Sequence, residues 1–175
     1  MDGRERGNRR GRGIAIAVAN LALLSAGAAV GDNAPNVRLV HIVQRSAVAR
    51  ALGGAARRLD RAECQLLLDE FTDGSGRPLR ASLEASGLGA TEYLGRVLFY
   101  DASPRQCGTS ALAVTTPGIR VVFVCGARFV RQMSSDSGHA EAVIIHEAFH
   151  SLGLGENPPS SDYITERVLD RCRRR

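Results

Sequence analysis

The 175-residue chain carries 23 arginines, no lysine and 18 acidic residues, for a net charge of +5. The first 28 residues hold five of those arginines and two of the acids, so the remainder carries 18 against 16, or +2. That near balance excludes a basic footprint for nucleic acid, and the length suggests one folded domain.

Residues 1–28 read as a secretory signal peptide. Arg4, Arg6, Arg9, Arg10 and Arg12 supply a basic start, Ile14 to Leu24 an apolar run, and Ala26-Gly27-Ala28 a cleavage site. The expected location is therefore secreted, periplasmic or cell-envelope, with membrane contact only if this segment stays uncleaved. The apolar run is too short for a full transmembrane span. Residues 29–36 form a polar, flexible leader, and residues 37–175 form the domain.

From Val37 to Arg61 the chain is rich in Ala, Leu and Arg and predicts one helix, or two interrupted at Gly53-Gly54. His41 in this stretch reads as an ordinary surface or core histidine. Cys64 to Phe71 suits a strand or a helix end, and Thr72 to Gly76 is a turn cluster. Pro78 to Ser86 predicts a short helix stopped by Gly87, and Thr91 is expected to cap another that reaches Gly95. Val97 to Tyr100 reads as a buried strand. Ala111 to Thr115, the Pro117-Gly118 turn and Arg120 to Cys125 predict a hairpin. Leu112 and Val114 on one strand and Val122 and Val124 on the other would share its buried face. Arg128 to His139 is polar, a loop or broken helix, with His139 on the surface. Ser160 or Ser161 should cap a last helix from Asp162 to about Cys172.

Four cysteines follow the signal segment: Cys64, Cys107, Cys125 and Cys172. In an oxidising compartment they suggest two disulfides, with three possible connectivities. Cys107 and Cys125 flank the hairpin and are the first expected pair. Cys64 with Cys172 would then tie the last helix to the body. No C-x-x-C spacing supports a cysteine metal site.

The chemically distinctive stretch is His146-Glu147-Ala148-Phe149-His150, an HExxH motif. On a helix, residues four apart share a face, so His146 and His150 can aim two imidazoles at one metal ion. Glu147 can then reach water at that ion as a general base. Zn²⁺ is the expected cofactor, because it takes imidazole readily and keeps an open position in catalytic sites. The apolar neighbours Ala142 to Ile145, Phe149 and Leu152 suit a buried helix, where two histidines and a glutamate need partners. The plainer alternative is two hydrogen-bonded core histidines beside a surface glutamate.

A third ligand is needed. Gly153 can end the helix in a left-handed conformation and return the chain, which would bring Glu156 to the metal. Glu166, on the next helix, is the alternative third ligand. HExxHxxGxxE resembles the metzincin pattern, with Glu where that clan usually has His; Glu166 resembles the downstream glutamate of gluzincins. No methionine follows Glu156, so the methionine turn of metzincins is missing.

The stretch IIHEAFHSLGLGENPPSSDYIT (144–165), with TTPGIRVVFVCG (115–126) and LFYDAS (98–103), resembles bacterial exported proteins bearing an HExxHSLGLGENPPSS signature. These are described as zinc-dependent peptidases of zincin type, and the resemblance covers most of the domain. It implies an α+β fold, a small zincin-like domain with a mixed or antiparallel sheet and a hairpin before the active-site helix. It also implies a zinc metallopeptidase acting on peptide or protein substrates, with His146 and His150 as ligands and Glu147 as base. In zincins an edge strand beside that helix pairs with the substrate; here the hairpin could serve so, or be purely structural. Tyr100 and Tyr163 are oxyanion donors by residue type only. A non-catalytic zinc-containing envelope protein and a zinc amidohydrolase acting on a non-peptide envelope substrate are the other open classes. A monomer is expected.

Overall fold

The computed structural model describes Ala34 and residues 36–173. The expected signal segment and most of the leader lie outside the described residues. The fold is α+β. Helices are α1 (Ile42–Leu59), α2 (Ala62–Gln65), α3 (Leu67–Glu70), α4 (Leu79–Ala85), α5 (Ala90–Gly95), α6 (Pro104–Cys107), α7 (Gly126–Ser135), α8 (Ser137–Ser151) and α9 (Ser161–Arg171). Strands β1 (Leu98–Asp101), β2 (Ala113–Thr115) and β3 (Val121–Val124) form a mixed sheet in the order β1-β3-β2. No described helix is long and apolar enough to cross a membrane.

The helix carrying HExxH is the centre of the packing. Every residue of α8 from Ala140 to Ser151 is buried. A helix apolar on all sides must be covered on all sides, and α1, α7, α9 and β2 cover it. Asp136 caps its start by accepting from His139 N–H at 3.0 Å. From α1 the buried positions include Ala47, Val48, Ala51, Leu52, Gly54, Ala55, Arg58 and Leu59, a stripe with helical period.

The α1 helix is continuous through Gly53 and Gly54, the first of the two expected forms, but it starts at Ile42 and not at Val37. Gly54 is needed there because a Cβ would run into the Glu141 carboxylate of α8. One turn further along α1, Arg58 donates Nε–H to Glu141 Oε2 at 2.6 Å and Nη1–H to the Cys172 carbonyl at 2.7 Å. The glycine therefore marks a close approach of two helices and not a break.

Residues 128–139 form a helix broken at Asp136, in α7 and the start of α8, one of the two expected forms. Of the two forms expected for Cys64 to Phe71, the helical one is present, in α2 and α3, while the cap of α5 is Gly89 and not Thr91. The Thr91 hydroxyl donates instead to Asp60 Oδ1 at 2.6 Å. In the hairpin, Ala113 pairs with Val124 and Thr115 with Val122, while Val114 pairs with Phe123. By this pairing Ala113 and Thr115 share a face with Val124 and Val122 and Val114 points the other way, while Leu112, just before β2, is partly buried against the core.

Both expected disulfides form. Cys64–Cys172 closes a separation of 108 residues and Cys107–Cys125 one of 18. The first joins α9 to α2; the second ties the residue before α7 to the end of α6.

Candidate metal centre

His146 and His150 lie one turn apart on α8, and their Nε2 atoms approach to 2.8 Å. The helix ends at Ser151. Gly153 then takes φ +114° and donates to the His150 carbonyl at 2.8 Å, while Leu154 N–H reaches the Phe149 carbonyl at 3.1 Å. This is the glycine stop foreseen from the sequence. The returning chain brings Glu156 Oε1 to 3.8 Å from His146 Nε2 and 3.7 Å from His150 Nε2. Among the described residues, His146, His150 and Glu156 form a group that could hold a metal ion. Glu166 lines the same cleft but lies outside this group.

The donor geometry can be tested against an ion. Three atoms separated by 2.8, 3.8 and 3.7 Å lie on a circle of radius about 2.0 Å, and zinc contacts to nitrogen and oxygen are about 2.0–2.2 Å. Two imidazoles and a carboxylate are also the zinc donor types. Donor types and spacing suit the ion once the two ring nitrogens open from hydrogen-bond contact to tetrahedral spacing.

The far sides of both rings are held. His150 Nδ1 lies 2.7 Å from the Leu154 carbonyl, which can only accept, so Nδ1 carries the proton and Nε2 presents a lone pair. His146 Nδ1 lies 3.0 Å from Thr165 Oγ1 of α9, a hydroxyl that can donate or accept. With the proton on His146 Nε2, the two rings hydrogen-bond to each other. With it on Nδ1 and donated to Thr165, both Nε2 lone pairs face the centre, as ligation requires. Burial, and then the nearby His150, push the His146 imidazolium down to about 3, so the ring is neutral at physiological pH.

Glu147 is 5% exposed. Burial pushes its carboxyl up to about 7; the Thr115 side chain acts the other way and the charge of Glu156 adds to the rise. Glu147 Oε2 and Thr115 Oγ1 are both buried without a well-formed hydrogen bond. A buried carboxylate oxygen left open in this way is unusual. Glu147 lines a cleft of about 670 Å³, together with residues 110–115, His139, Val143, the two histidines, Glu156 and the α9 face.

The remaining sequence candidates fall elsewhere. His41 is exposed at the start of α1, and His139 lines the cleft mouth instead of lying on open surface. Tyr163 packs edge-on against Phe71, and neither it nor Tyr100 lines the cleft. Three groups were not foreseen: Thr115, Thr165 and the Leu154 carbonyl. The roles of Thr115 and Thr165 depend on which strand and helix lie against α8, which no local motif encodes, whereas the Leu154 carbonyl comes from the turn at Gly153, four residues past His150.

Comparison with protein-family models, with curated proteins and with solved structures gives no match for this chain.

Proposed function

We propose that the chain is an exported zinc-dependent hydrolase that cleaves peptide bonds, with His146, His150 and Glu156 as ligands and Glu147 as general base. The observation that carries this reading is the convergence of three donor atoms on a circle of about 2.0 Å radius, beside a buried glutamate with an unpartnered oxygen. Glu156 is preferred to Glu166 as third ligand because its oxygen alone completes that circle. Zinc, when bound, supplies Lewis acidity, which makes water acidic near neutral pH and polarises a carbonyl.

The protein's own groups do the rest. Glu147 accepts a proton from the attacking water, whose oxygen adds to the scissile carbonyl carbon. It then delivers that proton to the nitrogen as the C–N bond breaks, so the amine leaves neutral. Burial, which raises its carboxyl in the metal-free protein, suits a group that must both take up and release a proton. Leu154 and Thr165 hold the two rings in place from behind. Strand β2 stands at a sheet edge and lines the cleft, where its backbone can pair with an extended peptide. The two disulfides support an oxidising compartment.

The test is metal analysis and peptide-pool cleavage for wild type, Glu147→Gln, Glu156→Gln and Glu166→Gln. Glu147→Gln should keep zinc and lose cleavage; Glu156→Gln should lose zinc; Glu166→Gln should keep it. Zinc lost from Glu166→Gln but not Glu156→Gln would transfer the third-ligand role. A folded wild type that takes up no divalent ion would end the proposal.

A further inference from the structure

We infer that the cleft favours peptides carrying an arginine or lysine side chain next to the bond being cut, held by Asp162 and Glu166. For the cleavage this rests on the hydrolase reading above; the binding preference stands apart from it. Asp162, Thr165, Glu166 and Leu169 line the cleft from α9. Their spacing of three and four residues makes them one helical stripe. Thr165, in the middle of it, sits 3.0 Å from His146, so the stripe is fixed directly beside the metal group.

The charge count is one-sided. Glu147, Glu156, Asp162 and Glu166 line the cleft, and none of the described arginines does. A divalent ion would balance Glu147 and Glu156. Asp162 and Glu166 remain, one turn apart, and among the described residues neither carboxylate has a hydrogen bond or ion pair. Exposed acids alone are commonplace. Here a second feature marks the cleft as a ligand site: Glu147, about nine-tenths or more buried, has an oxygen with no partner and lines the same cleft. A neutral or acidic peptide laid along α9 would cover two carboxylates without compensating them. A guanidinium or ammonium would pair with them, and a guanidinium can do so through two hydrogen bonds.

The experiment measures binding as well as turnover. Two fluorescently labelled octapeptides, identical except for Arg or Glu on either side of the central bond, are titrated by anisotropy against Glu147→Gln protein, metal-free and zinc-loaded. The Arg peptide should bind about tenfold tighter at low salt, the yield of two exposed charge contacts. The ratio should shrink in 0.5 M salt, in keeping with a Debye length of only about 3 Å at 1 M. Adding Asp162→Asn with Glu166→Gln should bring the ratio close to one, and Glu166→Arg should reverse it. Equal binding, binding of neither peptide, or a preference that survives the double change would overturn the inference. Selective binding without cleavage by wild type would overturn the hydrolase reading and leave this one standing; cleavage without charge preference would do the opposite.

Discussion

Replacing Gly54 by alanine should destabilise the protein, although the same change in most helices stabilises. Gly54 lies inside α1, where alanine is favoured over glycine by about 1 kcal/mol. Its new methyl group would meet Cγ, Cδ and Oε1 of Glu141. The carboxylate would have to leave its place, and its bond to Arg58 would break. That pair is buried, with side-chain exposures of 8% and 3%, and Arg58 also holds the Cys172 carbonyl. Breaking a buried ion pair costs about 3–5 kcal/mol. Set against the helix gain, the net loss is about 2–4 kcal/mol, or a fall in Tm of roughly 10 °C for a domain of this size. Gly53→Ala is the control: its Cβ would meet only the Arg57 guanidinium, at 3.5 Å, and should stabilise by up to about 1 kcal/mol. Urea and thermal denaturation of the two variants and wild type decide the matter. A Gly54→Ala protein as stable as Gly53→Ala would refute the claim that this glycine exists to admit Glu141.

Thr165→Val should keep the fold and weaken zinc binding by about tenfold or more, since it removes the hydroxyl behind the His146 ring; competition with a chromophoric chelator measures this. Converting Cys64 and Cys172 to serine should cost about 5 kcal/mol and converting Cys107 and Cys125 about 3 kcal/mol, following the closed loop lengths; denaturation of the two double variants gives the order. Arg167 donates two hydrogen bonds to Glu70 and, with burial opposing, holds its carboxyl below 4.5. This contribution to stability is present above the unfolded value and is lost as pH falls through the lower folded one. NMR titration should show Glu70 returning toward 4.5 in Arg167→Met.

The sequence by itself determined the parts of the site that are local. HExxH places two imidazoles a turn apart on any helix, and Gly153 returns the chain because a helix stop needs only the residues around it. The cysteines flanking the hairpin and the Ser160 cap, which accepts from Tyr163 N–H, were legible for the same reason. Only the tertiary structure decided what depends on neighbours far along the chain. Gly53-Gly54 leaves one helix or two open until Glu141, distant in sequence, is seen to need the space. The hairpin face could not be settled from Leu112 and Val114, because one residue of register exchanges the two sides of a strand. Thr115 and Thr165 carry no motif, yet packing sets one beside Glu147 and the other behind His146. Local rules fix where a side chain points from its own helix; only long-range packing fixes what stands opposite it.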